Sequence, residues 1–204
     1  MADLFNTAEA PAEAAHAPHP LADRLRPTTL EQVIGQEHIL GPAGPLGAML
    51  AQGNLASLIL WGPPGVGKTT IARLLAARTD LVFVQISAIF TGVAELRKVF
   101  ETAKHRHANG QGTLLFVDEI HRFNKAQQDA FLPHMESGVI VMVGATTENP
   151  SFELNAALLS RAQVLRLHRL DEEALGRLLD QAEAAEGSLG LSEEARTMLV
   201  AMAD

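Results

Sequence analysis

The sequence contains no cysteine and no tyrosine, a single tryptophan, and only 4% aromatic residues in 204 positions. Without cysteine there is no disulfide framework and no thiolate metal site, an absence that fits a reducing cytosol. So few aromatic rings argue against base stacking along a single nucleic-acid strand. No apolar run approaches the ~18 residues that a membrane-spanning helix needs. The opening MADLFNTAEA has neither a basic stretch nor a long apolar one, so it does not read as a secretory signal. Histidine is plentiful, with eight residues, but no HExxH or other paired-ligand spacing occurs. His105 and His107, two apart on an expected helix, point about 200° from each other, so a structural zinc is not expected.

What is present is unevenly distributed. The net charge of −8 comes from the two ends. Residues 1–20 sum to −3 and residues 171–204 to −7, while 21–170 carry 14 basic and 12 acidic side chains. A mildly basic middle admits an anionic ligand despite the acidic whole.

Residues 7–20, TAEAPAEAAHAPHP, are interrupted by Pro11, Pro18 and Pro20 and read as a disordered arm. Order is expected from Leu21, with a break at Pro27, a helix start at Thr28/Thr29, a turn over 41–47 and a short helix over AMLAQ. Apolar strands are expected at ASLILW (56–61), LVFVQIS (81–87), TLLFVDE (113–119), VIVMVGATT (139–147) and, shorter, AQVLRLH (162–168). Helical spacing appears at 69–80, at 92–110 and near 125–135. From Asp171 onward the pattern is helical throughout, with Ser192 as a cap. Alternating strands and helices predict an α/β fold with a parallel sheet covered on both faces.

The stretch WGPPGVGKT carries the chemistry. Gly62 and Gly67, separated by Pro63, Pro64, Gly65 and Val66 and followed by Lys68, Thr69 and Thr70, form a phosphate-binding loop pattern between an expected strand and an expected helix. Glycines let backbone N–H groups turn inward around an anion, and the helix adds its positive end. Lys68 can reach the β and γ phosphates of ATP, and the Thr69 hydroxyl can hold Mg²⁺. A glycine-rich turn with an incidental lysine accounts for the glycines but not for all the fixed positions together.

Asp118 ends a buried strand, at the sheet edge where open α/β folds bind ligands. It can orient magnesium-bound water, and Glu119 can polarise an attacking water. Taken alone, the acidic pair would serve equally to cap a following helix. Thr146 and Thr147 close the next strand, where a hydroxyl can bridge water and γ-phosphate or simply bond its own backbone. Arg161 precedes the last strand and fits either an arginine finger or an ordinary surface arginine.

In this order these parts resemble the clamp-loader branch of the AAA+ ATPases. LADRLRPTTLEQVIGQEHIL, LILWGPPGVGKTTIA, LLFVDEIHRFNKAQQDAFLPHMESG and VGATTENPSFELNAALLSRA are similar to the bacterial replication-associated recombination protein A family, related to the Werner helicase-interacting proteins. The resemblance implies Gly62–Thr69 as Walker A, Asp118 and Glu119 as Walker B with Glu119 the catalytic base, Thr147 as sensor 1 with Thr146 its rival, and Arg161 as a finger acting on a neighbouring subunit. It also implies a nucleotide-binding domain over 21–170 and the start of a helical lid over 171–204. A sensor 2 arginine and an oligomer-forming helical domain would lie past Asp204, leaving this stretch weak in nucleotide binding, and a monomer in which Arg161 has no neighbour to serve.

The implied activity is a DNA-dependent ATPase at stalled or damaged replication forks, cytoplasmic and nucleoid-associated, with a homo-oligomer in the full protein. Arg97, Lys98, Lys104, His105, Arg106 and His107 make helix 92–107 basic, suited to backbone contact at a fork or junction. The same residues also make an ordinary solvated face with an Arg97–Glu101 pair. His121 and Arg122 suit sensing of a neighbour or of DNA. Asp3-Leu4-Phe5 resembles the end of a sliding-clamp-binding peptide, and a single-strand-binding protein is the other expected partner. Competing functions sharing the site are a clamp-loader subunit, a junction branch-migration motor and a nucleotide-gated scaffold. Glu119 disfavours the scaffold, since a pure switch need not keep a base beside Asp118.

Overall fold

The computed structural model describes residues 20–203. The expected arm, apart from Pro20, and the Asp3-Leu4-Phe5 peptide lie outside the described residues. Helix α1 (Leu21–Arg24) is followed by a 3₁₀ turn at Leu30–Gln32, α2 (Glu37–Leu40) and α3 (Pro45–Ala51). The helix expected from Thr28/Thr29 is thus a single turn, in which Gln32 Oε1 accepts from the backbone N–H groups of Thr28 and Thr29 at 2.8 and 3.3 Å. Helix α3 begins earlier than AMLAQ because Pro45 supplies the fixed φ that a first helical position favours.

Strand β1 (Leu58–Trp61), α4 (Lys68–Arg78), β2 (Val82–Ser87), α5 (Val93–Ala108) and β3 (Thr113–Asp118) then alternate. The helix expected near 125–135 is two short ones, α6 (Lys125–Asp129) and α7 (Leu132–Glu136), with Pro133 in the first turn of the second. Strand β4 (Val141–Thr146), α8 (Pro150–Glu153), α9 (Ala156–Leu159) and β5 (Gln163–Arg166) complete the α/β part, and α10 (Glu172–Glu186) and α11 (Glu193–Met202) end the described chain.

The five strands form one parallel sheet in the order β2-β3-β4-β1-β5. Side-chain alternation explains why both faces must be covered. Leu58 and Leu60 of β1, with Leu114 and Phe116 of β3, face Ile71, Leu75 and Ala76 of α4. Ile59, Leu115 and Val117 face the other way, against Leu96, Phe100 and Ala103 of α5 and Phe131 and Leu158. Most of these side chains are wholly buried, and each leucine, isoleucine, valine or phenylalanine among them contributes ~1.5–3 kcal/mol of hydrophobic stabilisation.

Side-chain caps fix the last two helices. Asp171 Oδ1 accepts from Ala174 N at 2.8 Å, and Ser192 Oγ, the cap the sequence predicts, accepts from Ala195 N at 3.2 Å. Ion pairs Arg177–Glu37 and Arg24–Glu186 tie α10 back to the first segment of the fold. On α5 the expected Arg97–Glu101 pair does not form. Glu101 takes Lys104 instead, at 2.9 Å, three residues along the same helix face.

Candidate nucleotide-binding site

Parallel strands bring all their carboxyl ends to one edge, and the loops leaving that edge build the site. The loop from Gly62 to Gly67 joins β1 to α4. Gly67, the N-cap of α4, sits at φ +93°, where a side chain would be strained, and Gly65 sits at φ +80°. No side chain caps α4, so its first N–H groups remain available to an anion.

Lys68 opens this helix and is buried. Its Nζ donates to the carbonyl oxygens of Gly62 (2.7 Å) and Pro63 (2.6 Å) in its own loop. Among the described residues it makes no ion pair with a carboxylate. Burial pulls its pKa below the usual lysine range, and the nearby charges of Glu119 and Asp118 partly restore it. A buried ammonium held by carbonyls alone is suited to receive phosphate oxygens.

Asp118 is the last residue of β3, in register with Ser87 of β2. Its carbonyl accepts from Ala88 N at 2.9 Å. Glu119 follows in a left-handed conformation, φ +52° and ψ +44°, which for a non-glycine residue costs about 1–3 kcal/mol and is typical of functional sites. The two carboxylates, the loop residues Pro64–Gly67, and Lys68, Thr69, Thr70 and Thr147 line one cavity of about 510 Å³.

Thr146 and Thr147 divide clearly. Thr146 is wholly buried, its hydroxyl 2.9 Å from His121 Nδ1 and accepting from Glu148 N at 3.0 Å. Thr147, half-buried, is the one on the cavity wall. Arg161 is not brought to this cavity. It borders Ser57 and Val141, at the amino-terminal ends of β1 and β4, and donates from Nε to Glu136 Oε1 at 2.5 Å.

Sequence reasoning missed the rest of the wall. Ala22, Leu25, Arg26, Pro27, Val33 and Ile34 from the first segment, with Leu170 and Leu178 from the start of the helical part, close the cavity with mostly apolar surface. No spacing rule marks them. Only the Arg26-Pro27 break hinted that the segment turns there. Gln36, wholly buried, anchors this wall by exchanging two hydrogen bonds with the His168 backbone, 2.8 Å from Nε2 to the carbonyl and 3.1 Å from the N–H to Oε1.

A phosphate loop after β1, an acidic pair at the end of β3 and a threonine after β4, the strand between them, define a P-loop nucleotide-binding protein of the α/β class. The chain belongs to the ATPase family associated with various cellular activities (AAA), which matches residues 58–170. Within it, the likeness is to replication-associated recombination protein A. The Escherichia coli K12 protein of that name is 54% identical over 163 residues, covering 80% of this chain and 36% of its own length. The Coxiella burnetii one is 50% identical over 191 residues, 91% of this chain and 43% of that protein. The chain thus spans well under half of the length of these curated relatives. Among solved structures, the Thermotoga maritima RuvB Holliday junction branch migration motor superposes with a TM-score of 0.71 at 28% identity, covering 86% of this chain and 59% of that one.

Proposed function

We propose that this chain binds ATP with Mg²⁺ and hydrolyses it as the nucleotide-binding part of a DNA-dependent ATPase of replication-associated recombination, working at stalled or damaged forks. The observation that carries the reading is the buried, carboxylate-free ammonium of Lys68 facing Asp118 and Glu119 across one cavity. Triphosphate oxygens take the loop N–H groups and Lys68, and the apolar wall from Leu25 to Ile34 suits a flat base. Residues 21–170 act as the nucleotide-binding unit and 171–204 as the beginning of a lid, with Leu170 and Leu178 touching both.

The residues fit a magnesium ion that arrives with the nucleotide. Among the described residues no three His, Asp or Glu side chains gather into a metal-holding cluster. Thr69 and Asp118 nevertheless border the cavity, and a hydroxyl, a carboxylate acting through water and phosphate oxygens make an oxygen set that magnesium favours. When bound, the ion neutralises charge on the phosphate oxygens. Glu119 accepts a proton from the attacking water, Lys68 balances charge on the terminal phosphate, and Thr147 orients the water.

Arg161 serves a neighbouring copy, because it stands at the opposite sheet edge from its own cavity. The basic face of α5, with exposed Arg97 and Lys98, contacts a DNA backbone. A sliding-clamp contact rests on Asp3-Leu4-Phe5 alone. The test is ATP turnover with and without forked DNA. Strong stimulation by forks is expected, and turnover indifferent to DNA alongside ATP-dependent assembly would favour a scaffold. The likeness to a branch migration motor supports a second reading, and preferential stimulation by a four-way junction over a fork would favour it.

A further inference from the structure

We propose that His121 is a positioning residue for Glu119: held by its Nδ1–H on the Thr146 hydroxyl, it keeps its ring within 3.3 Å of the Glu119 carboxylate, so that the end of β4 sets where the carboxylate stands. The inference rests on the reading of Glu119 as the base.

His121 lies in the 3₁₀ turn Ile120–Arg122 that follows Glu119, and only 6% of its side chain is exposed. Nδ1 is 2.9 Å from Thr146 Oγ1 and 3.3 Å from Glu119 Oε2. The protons can be counted. A carboxylate beside Nδ1 accepts only, so a bare nitrogen there would set lone pair against lone pair. The nitrogen therefore carries the hydrogen, and the Thr146 oxygen accepts it. That oxygen also accepts from Glu148 N at 3.0 Å, and its single proton goes to Glu148 O, 3.3 Å away. The Thr146 hydroxyl is then fully used, accepting from His121 and Glu148 N and donating to Glu148 O, which fixes the imidazole that stands beside Glu119.

The turn is seated by shape as well as by polarity. Ile120 is wholly buried against β4 at Gly144. A Cβ at Gly144 would stand 2.9 Å from the Cδ1 atoms of both Ile120 and Ile59, so the bare glycine leaves room for these two side-chain ends on β4.

The arrangement joins two parts of the site. Thr146 precedes Thr147 on the cavity wall, and Glu148 begins the segment that runs through α8 and α9 to Arg161. A shift of that segment, as when a neighbour engages Arg161, reaches the Glu119 carboxylate through two hydrogen bonds and the 3.3 Å His121–Glu119 contact rather than through the whole fold.

Three substitutions and one spectrum test this. His121→Ala should lower kcat for ATP about ten- to a hundredfold, the usual loss when a reacting group loses its orienting partner, with nucleotide affinity little changed. His121→Asn retains an N–H donor at the δ position and should recover most of the loss. Thr146→Val should lower kcat in the same direction and add little to His121→Ala, since both break one chain. An unchanged kcat in His121→Ala, an affinity loss as large as the kcat loss, or His121→Asn no better than alanine would each overturn the proposal. Independently of turnover, imidazole ¹⁵N spectra at mildly alkaline pH should show His121 protonated on Nδ1 and perturbed by Thr146→Val. The Nε2-protonated tautomer would overturn it outright. If Glu119→Gln hydrolyses ATP normally, the base assignment fails instead, and the spectrum tells the two failures apart.

Discussion

Arg161 donates to Glu136 at 2.5 Å, and this pair stands at the amino-terminal edge of the sheet while Lys68 stands at the carboxyl-terminal edge. A single chain therefore cannot bring Arg161 to its own cavity without refolding. Arg161→Ala is expected to leave nucleotide binding unchanged and to lower turnover of the assembled protein by about 10³-fold or more, as loss of a finger does. Mixing it with Glu119→Gln should restore partial turnover in mixed assemblies, where an intact Arg161 meets an intact Glu119. No restoration would remove the trans role.

Lys68 sits in its loop without a direct ion-pair partner among the described residues, which leaves its ammonium open to a bound anion. ATP at a hundredfold excess over Kd should stabilise the folded chain by about 2.7 kcal/mol. Lys68→Ala should abolish this stabilisation, read as a rise in Tm with nucleotide. A Lys68→Ala variant that still shows the full rise would displace the phosphates from the Gly62–Thr69 loop.

Glu119→Gln preserves shape and removes the proton acceptor. Nucleotide should remain bound while turnover falls by about 10²–10⁴-fold, measured by single-turnover hydrolysis. Loss of binding with loss of turnover would instead mark Glu119 as a structural residue.

His134 packs on Phe100 with ring centroids 4.2 Å apart. Burial and the charge of Lys104 push its pKa below the usual 6.5, with Glu101 opposing. The unfolded chain then binds the proton more readily than the folded one. Stability should fall as pH drops through 6.5 and level off below the folded value. His134→Phe should show a shallower decline in Tm between neutral and mildly acidic pH.

The cap of α10 offers a local check on the helical segment. Asp171→Ala leaves Ala174 N without its 2.8 Å acceptor and should cost about 1 kcal/mol, read by urea unfolding.

The alternation of strand and helix was legible because buried strands of a parallel sheet are continuous apolar runs, and LILW and TLLFV can be little else. The phosphate loop was legible because its glycines, lysine and threonine are contiguous. Helix 125–135 was misread as one element because apolar spacing continues through Pro133, whose ring and missing N–H divide it. Thr146 and Thr147 were inseparable by pattern. Adjacent residues at a strand end have the same composition signal, and only the pleat decides which one faces the cavity.

By itself the sequence determined the chemistry along the chain: which loop can wrap an anion, which acids follow a buried strand, which faces must be covered. These are local properties, fixed by residue type and spacing. The tertiary structure decided what lies across from what. It closed the cavity with Val33, Ile34, Leu170 and Leu178, and held His121 between Glu119 and Thr146. It also set Arg161 on the far edge. Those neighbours are distant in the chain, and only the packing of the turn, the sheet and the helices brings them together.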